Sequence, residues 1–155
     1  MNDLLAQIPE NFGTLGNISL NKSIMLLNPP TPICVEQNQT IEAATQILQE
    51  HGIGCALAVD ENNKLAGIFT ERDIVQKWLF SGVEAHQTKI ADIMTADPAT
   101  LSSSSTIASA LYVMSKGGFR HIPIVNADNS PAGIISVKDV MDFIAMEFMK
   151  NMFNA

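Results

Sequence analysis

The chain has 155 residues, of which 46% are hydrophobic and only 16% are charged, a composition that favours a folded core and excludes a disordered chain. The net charge is −7, with nine basic residues against 16 acidic ones, so we expect no nucleic-acid partner, because phosphate binding needs a basic surface. No stretch approaches the ~18 uninterrupted apolar residues of a membrane span, and we expect neither a membrane segment nor a secretory signal.

A repeat with a period of 66 residues organises most of the chain. Shifting the sequence by that length aligns 67–73 (GIFTERD) with 133–139 (GIISVKD) without a gap. The same shift aligns proline with proline and glycine with glycine at further positions, so two copies of one unit are present. The predicted parts are an N-terminal extension over 1–22, a first domain over 23–88, a second domain over 89–150 and a tail over 151–155.

The first copy begins with a short extended segment, 33–35, directly after a proline. Thr40 can cap the N-terminus of a helix in which apolar residues recur at helical spacing, and a glycine follows that helix as its C-cap. An apolar run over 55–59 predicts a buried strand. After a turn, a second strand over 65–69 leads into a helix that begins near Thr70.

The second copy has the same order of elements. An extended segment at 99–101 precedes a helix capped by Thr106, and strands over 121–125 and 132–135 lead into a helix that begins near Ser136. Each copy is therefore predicted as β-α-β-β-α. Two such units give an α/β (α+β) fold with helices packed against small sheets.

This order, the period and the repeated G-I-x-[T/S]-x-x-D ending resemble a tandem pair of cystathionine β-synthase (CBS) domains, or Bateman module. The phrases at 92–95 (DIMT) and 119–125 (FRHIPIV) add to the resemblance, which covers about 130 of the 155 residues. It implies two units packed through their sheets around a pseudo-twofold axis, with two clefts for adenosine-containing ligands. It also implies a regulatory role and pairing with a second module.

Two S/T-x-x-D motifs are the candidate ribose-binding residues. An ionised Asp73 or Asp139 can accept both hydroxyls of a ribose diol, and Thr70 or Ser136 lies beside the free N–H groups of a helix start. The same spacing is close to a capping box, which satisfies the helix's own donors. The resemblance places all four residues at ribose-binding positions, and capping and binding can coexist.

Arg120 and His121, at the start of a predicted strand, are the first candidates for phosphate binding, since the resemblance implies basic residues there. The alternative is a solvated arginine beside a partly buried histidine. Residues 54–55, Gly and Cys, replace this pair in the first copy, so we expect two clefts that are not equivalent. Arg72 and Lys138 are secondary phosphate candidates, and an exposed charge at a helix start accounts for each equally well.

Catalysis finds little support in the sequence. The three histidines have no metal-ligand spacing, and no P-loop, nucleophile elbow or G-x-G-x-x-G after a strand occurs. The two cysteines, Cys34 and Cys55, form neither a disulfide framework nor a metal motif. We therefore expect a cytoplasmic, non-enzymatic protein with no catalytic residues, no metal and no required cofactor.

The helices predicted over 71–80 and 137–150 carry more apolar residues than the ~100° stripe that a surface helix normally buries. We expect them to form a homodimer interface. The first functional hypothesis is a regulatory module that binds AMP, ADP, ATP or a related adenosyl compound and signals to a regulated protein through dimer rearrangement. The alternative is a structural protein-interaction module with degenerate ligand clefts.

Overall fold

The strands and helices come from a computed structural model that describes residues 14–15 and 18–153, with side chains over 20–150. Their mixture of small sheets and helices confirms the predicted α+β class. The predicted extension lies mostly outside the described residues, as do the last two residues of the predicted tail. In chain order the elements are β1 (Thr14–Leu15), β2 (Ile18–Ser19), β3 (Cys34–Glu36), α1 (Ile41–His51), β4 (Cys55–Val59), β5 (Leu65–Thr70), α2 (Glu71–Asp73, continued by a π-helix over Ile74–Trp78), β6 (Thr95–Ala96), α3 (Ile107–Gly117), β7 (His121–Val125), β8 (Pro131–Ser136) and α4 (Val137–Phe153).

The two internal helices begin and end where the sequence predicts. The Thr40 hydroxyl accepts from the N–H of Ala43 at 3.2 Å, and Thr106 makes the corresponding bond in the second copy. Gly52 and Gly118 end α1 and α3 with φ angles of 62° and 67°, a left-handed backbone that glycine adopts without a Cβ clash. Repeated caps at both ends explain why two helices of the same length form.

The chain forms two compact units, each built from segments that are not continuous in sequence. Unit 2 contains Pro32–Pro98 and Ala127–Pro131, and unit 1 contains Ala99–Asn126 together with the described residues up to Thr31 and from Ala132 onward. In unit 1 the N–H of Ile107, at the start of α3, donates to the carbonyl of Lys22, so the segment before the first copy covers the helix start of the second. A repeat period determines the length of a unit but not where the unit begins.

Unit 2 contains a four-stranded sheet in the order β3-β4-β5-β6. Strand β3 runs parallel to β4, and the other neighbours are antiparallel. The sequence pattern does not predict β6, whose residues belong to the second copy but pair with Gly67 and Ile68 of β5. At the equivalent place before the first copy stand Pro29 and Pro30, which have no N–H to donate to a strand.

The extended segment predicted over 99–101 does not form a full strand and pairs only through one β-bridge, between Leu101 and Ile124. In the first copy the N–H of Leu57 donates to the carbonyl of Ile33 and helps to hold β3 against β4. The residue that corresponds to Leu57 in the second copy is Pro123, which has no N–H. Unit 1 therefore keeps a two-stranded sheet, β7-β8.

Each unit has its own apolar core, which fixes the strand that precedes each candidate motif. Phe69 of β5 is fully buried in unit 2, and Ile135 of β8 is fully buried in unit 1. Burial of a large apolar side chain contributes about 1.5–3 kcal/mol. These two residues lie one position before Thr70 and Ser136, so each motif begins directly after a fully buried strand residue.

Candidate functional site

The first candidate motif, in unit 2, is a closed capping box at the start of α2. Oδ2 of Asp73 accepts from the N–H of Thr70 at 2.9 Å and from its hydroxyl at 2.6 Å, and the Thr70 hydroxyl accepts from the Asp73 N–H at 3.2 Å. The alternative role of this spacing, capping, is therefore present. Asp73 is 5% exposed and is the only polar residue that is fully buried among those whose side chains the structure describes.

The other carboxylate oxygen of Asp73 is also occupied. Its Oδ1 lies 2.7 Å from Nζ of Lys77, one helical turn along, and 3.5 Å from the hydroxyl of Thr95. No sequence motif marks Lys77 as a site residue, although its i,i+4 spacing from Asp73 is visible in the sequence. Thr95 is 22 residues from Asp73, and only the tertiary structure brings the two together.

The second motif, in unit 1, repeats the capping geometry but leaves part of the acid open. Oδ2 of Asp139 accepts from the N–H of Ser136 at 2.6 Å and from its hydroxyl at 2.7 Å. Within the described part of the chain, Oδ1 of Asp139 accepts no hydrogen bond. The side chain is partly exposed. A carboxylate with one open oxygen can both cap the helix and accept a ligand hydroxyl.

Arg120 and His121 lie at the start of β7, directly against the second motif. The carbonyl of Arg120 accepts from the N–H of Val137, the residue after Ser136, at 2.9 Å. The Arg120 side chain is exposed, and its guanidinium forms no ion pair with any acid that the structure describes. His121 is half-buried in the strand. The fold therefore brings Arg120, Ser136 and Asp139 into one region of unit 1.

The backbone hydrogen bond of the first copy that corresponds to the Val137–Arg120 bond joins residues of different chemistry. The N–H of Glu71 donates to the carbonyl of Gly54 at 3.0 Å. A Cβ at Gly54 would lie 3.1 Å from Oε2 of Glu71, so an acid lies beside the position that Arg120 occupies in the second copy. Burial, with a smaller contribution from Glu71, raises the pKa of Cys55 to about 11. The two copies therefore differ in charge at this strand end, with Glu71 beside Gly54 in the first and Arg120 in the second.

The secondary phosphate candidates, Arg72 and Lys138, are both exposed residues that directly precede the two aspartates. Lys138 forms an i,i+4 ion pair with Asp142, and the hydrogen bond from this pair raises the pKa of the lysine. Neither observation separates phosphate binding from an ordinary helix-start charge, and both assignments stay predictions.

The helical segment after Thr70 differs from its expected form. It ends at Trp78 and contains a π-helical turn in which the N–H of Leu79 donates to the carbonyl of Ile74 at 2.8 Å. The expected apolar surface is present, however, with Phe80 91% exposed. The exposed large apolar residues that lie within or after the two motifs are Val75, Leu79, Phe80, Val83, Val137, Met141, Met146, Phe148 and Met149.

Metal clusters and membrane-spanning helices are not found in the part of the chain that the structure describes. No group of three or more His, Cys, Asp or Glu residues there could hold a metal ion. Within the same residues, no helix has the length and apolar character needed to cross a membrane. The motifs at 70–73 and 136–139 are the candidate site.

Comparison with known proteins identifies the family. The sequence profile of the CBS domain matches residues 23–79 and again 90–146. The chain belongs to the CBS domain family. The two matches confirm the predicted tandem CBS pair, and the repeat detected by self-comparison is this pair of domains.

Sequence relatives of this CBS pair include proteins of very different length. An uncharacterized 17.7 kDa protein of Acidianus ambivalens is 34% identical over 124 residues, which cover 75% of this chain and 71% of that protein. The meiotically up-regulated gene 70 protein of Schizosaccharomyces pombe is also 34% identical, over 118 residues that cover 76% of this chain. The chain spans only 16% of the length of the yeast protein.

Solved structures of similar CBS pairs share the fold. The CBS-domain protein ATU1752 of Agrobacterium tumefaciens is 29% identical with a TM-score of 0.70, and the match covers 78% of this chain and 98% of that one. The CBS domain pair of protein MJ0100 is 25% identical with a TM-score of 0.73, covering 81% of this chain and 98% of that one. The MJ0100 pair was solved with 5′-methylthioadenosine and S-adenosyl-L-methionine.

Proposed function

We propose that this CBS pair is a non-enzymatic regulatory module that binds an adenosine-containing ligand through the second-copy motif. Asp139 and Ser136 bind the ribose, and Arg120 with His121 binds a phosphate. Arg72 and Lys138 serve as additional cations near the two helix starts. The module acts in the cytoplasm, a reducing compartment that suits its two free thiols, Cys34 and Cys55.

The open oxygen of Asp139 carries this proposal. Oδ2 is held by the N–H and hydroxyl of Ser136, which fixes the orientation of the carboxylate before any ligand arrives. Oδ1 retains its acceptor capacity, and an ionised carboxylate is a strong acceptor for a diol. The exposed guanidinium of Arg120 lies at the start of the adjacent strand, β7. Guanidinium groups bind phosphate with two parallel hydrogen bonds.

The two compounds in the MJ0100 complex support the adenosine class. Both contain a ribose with two free hydroxyls, and neither contains a phosphate. A ribose-binding carboxylate serves such compounds and phosphorylated nucleotides alike. Arg120 is the residue expected to favour the phosphorylated ones, because its positive charge is matched by a phosphate and not by a methylthio group.

A thermal-unfolding panel tests the proposal with AMP, ADP, ATP, S-adenosylmethionine and methylthioadenosine. A ligand at 100 times its Kd stabilises the folded state by about 2.7 kcal/mol, which corresponds to a Tm rise of roughly 5–10 °C for a chain of this length. Asp139→Asn should abolish the rise for every active compound. Arg120→Gln should reduce it for the phosphorylated compounds only. A flat response to the whole panel would contradict ligand sensing.

We further propose that a homodimer transmits the signal. The exposed apolar residues after each motif, including Phe80 and Phe148, leave surface that a single copy of the chain does not bury. Sedimentation velocity with Phe148→Glu tests this proposal, with Asp142→Lys as a charge-changing control on an exposed position of the same helix. A wild-type monomer at micromolar concentration would contradict the homodimer.

The alternative function, a structural interaction module without a ligand, is favoured by the same exposed apolar surface and by the closed first motif. It predicts that no small molecule is released when the purified protein is denatured. It also predicts a co-purifying protein that is lost in Phe148→Glu and retained in Asp139→Asn. Mass spectrometry of the released small molecules separates the two functions.

A further inference from the structure

The two motifs differ in how many acceptor positions of their aspartates are already filled. A carboxylate has roughly four lone-pair positions for hydrogen bonds. Asp73 accepts hydrogen bonds from the N–H and hydroxyl of Thr70 and, at 3.5 Å, from the hydroxyl of Thr95, and its Oδ1 also forms an ion pair with the ammonium of Lys77 at 2.7 Å. Asp139 accepts two hydrogen bonds, both from Ser136. A ribose diol needs two acceptor positions, which only Asp139 offers.

Lys77 is held in place by more than its ion pair. Its ammonium donates to the carbonyl of Ile93 at 2.7 Å and to that of Met94 at 3.3 Å, while Oδ1 of Asp73 lies at 2.7 Å. These partners come from α2 and from the segment that leads into β6, so the ammonium ties two parts of unit 2 together. An ammonium held by an ion pair and by two backbone carbonyls is not easily displaced by a neutral hydroxyl.

The second copy cannot make the same contact. The repeat places Phe143 where the first copy has Lys77, and Phe143 packs against the core of unit 1. The charge at the strand end differs as well, because Glu71 lies beside Gly54 in the first copy and Arg120 stands there in the second. Both differences act in the same direction, against a phosphorylated ribose in the first copy.

We propose that Lys77 is a specificity-determining residue that occupies the ribose-binding acid of the first copy, so that each chain binds one adenosine ligand, at Asp139. The inference rests on the proposed ribose role of the S/T-x-x-D motifs and specifies which of them is open. It makes the first copy a structural partner whose acid is permanently neutralised within the chain.

Counting bound adenosine by equilibrium dialysis, at concentrations that saturate the wild type, tests this inference. Wild-type protein should bind one adenosine per chain, and Asp139→Asn should bind none. Lys77→Met keeps most of the aliphatic stem, removes the ammonium and should bind two. Adding Asp73→Asn to Lys77→Met should return the count to one.

Two control variants separate specificity from stability. Lys77→Arg retains a cation and should stay at one adenosine per chain. Lys116→Met, which removes an exposed lysine at the end of α3, should also stay at one. Circular dichroism and the urea midpoint confirm that each variant is folded. If Lys77→Met is misfolded, Lys77→Gln serves in its place.

The failures of the two proposals can be distinguished. Two adenosines on the wild type, or one on folded Lys77→Met, overturns the role of Lys77 and leaves ligand sensing intact. No adenosine on any variant, including those with Asp139 unchanged, overturns the ribose role of both motifs and the inference with it.

Discussion

Replacing the two motif aspartates by alanine should cost different amounts of stability, although their sequence contexts match. Each substitution removes the acceptor for the N–H and hydroxyl of Thr70 or Ser136, and loss of a helix N-terminal cap costs about 1 kcal/mol. Asp73→Ala also removes the ion pair with Lys77. Hydrogen bonds to charged groups contribute about 1.5–3 kcal/mol, a range that sets the upper limit for this ion pair.

The ion-pair contribution must be reduced for solvent screening, because the Lys77 side chain is 42% exposed while that of Asp73 is 6% exposed. About 1 kcal/mol then remains for the pair. The expected totals are about 2 kcal/mol for Asp73→Ala and about 1 kcal/mol for Asp139→Ala. For a chain of this length these losses correspond to Tm decreases of roughly 4–8 °C and 2–4 °C.

Urea unfolding of the ligand-free variants at one protein concentration measures the difference, with the midpoint expected to fall and the m-value to stay constant. Both alanine variants lose the cap, so the difference between their losses in free energy of unfolding measures the contribution of the Lys77 ion pair. Losses that agree within about 0.5 kcal/mol, or a larger loss for Asp139→Ala, would show that the Lys77 contact is too weak to hold the acid.

Three further perturbations have expected outcomes. A Cβ at Gly67 would lie 2.9 Å from the backbone carbonyl oxygen of Thr95 in β6, so Gly67→Ala should lower the free energy of unfolding by about 1–3 kcal/mol. Gly133→Ala should lower it by less, because the atom nearest to its Cβ would be 3.2 Å away. The pKa of about 11 at Cys55 predicts thiol alkylation at pH 8 at least about tenfold slower than for a free cysteine, and Glu71→Gln should accelerate it. Hydrogen bonds, chiefly from Lys64, lower the pKa of Asp128 in the folded protein. The stability they contribute is present above about pH 3.9, the unfolded pKa, and is lost as the pH falls through the lower folded pKa. Asp128→Asn should therefore make the urea midpoint less sensitive to acid.

Each of these outcomes has a result that would contradict it. Equal thermal stabilities of Gly67→Ala and Gly133→Ala would mean that β6 moves away freely. Alkylation of Cys55 as fast as that of a peptide thiol would mean that β4 opens readily. An unchanged pH dependence in Asp128→Asn would mean that water competes successfully for the exposed carboxylate.

Much of the fold can be predicted from local patterns. Threonine caps, helical spacing of apolar residues and a left-handed glycine act within a few residues, so their signals are complete in the sequence. The predicted strand at 99–101 does not form because its pairing depends on an N–H that Pro123, more than 20 residues later, does not have. Strand β6 cannot be predicted from the sequence, because a strand of two residues is too short to show an alternating apolar pattern.

The residue types of the candidate site can be predicted from the sequence, but whether each aspartate has an acceptor oxygen left for a ligand cannot. The spacing of Ser136 and Asp139 indicates both a cap and a ligand-binding acid, and the structure contains the cap. The spacing of Asp73 and Lys77 is equally visible, but an i,i+4 pair on a helix surface usually contributes little. Its significance follows from the burial of Asp73, which the sequence pattern does not reveal.

The repeat, most of the β-α-β-β-α order and the membership of the CBS family can be predicted from the amino-acid sequence, because they depend on local chemistry that is present twice in one chain. Which motif keeps an open carboxylate oxygen is settled only by folding. That outcome depends on the carbonyls of Ile93 and Met94 and on the hydroxyl of Thr95, which reach Lys77 and Asp73 only after the chain has folded back on itself. Two motifs with matching spacing thus differ in their free acceptors, because hydrogen-bond capacity is consumed by neighbours in space.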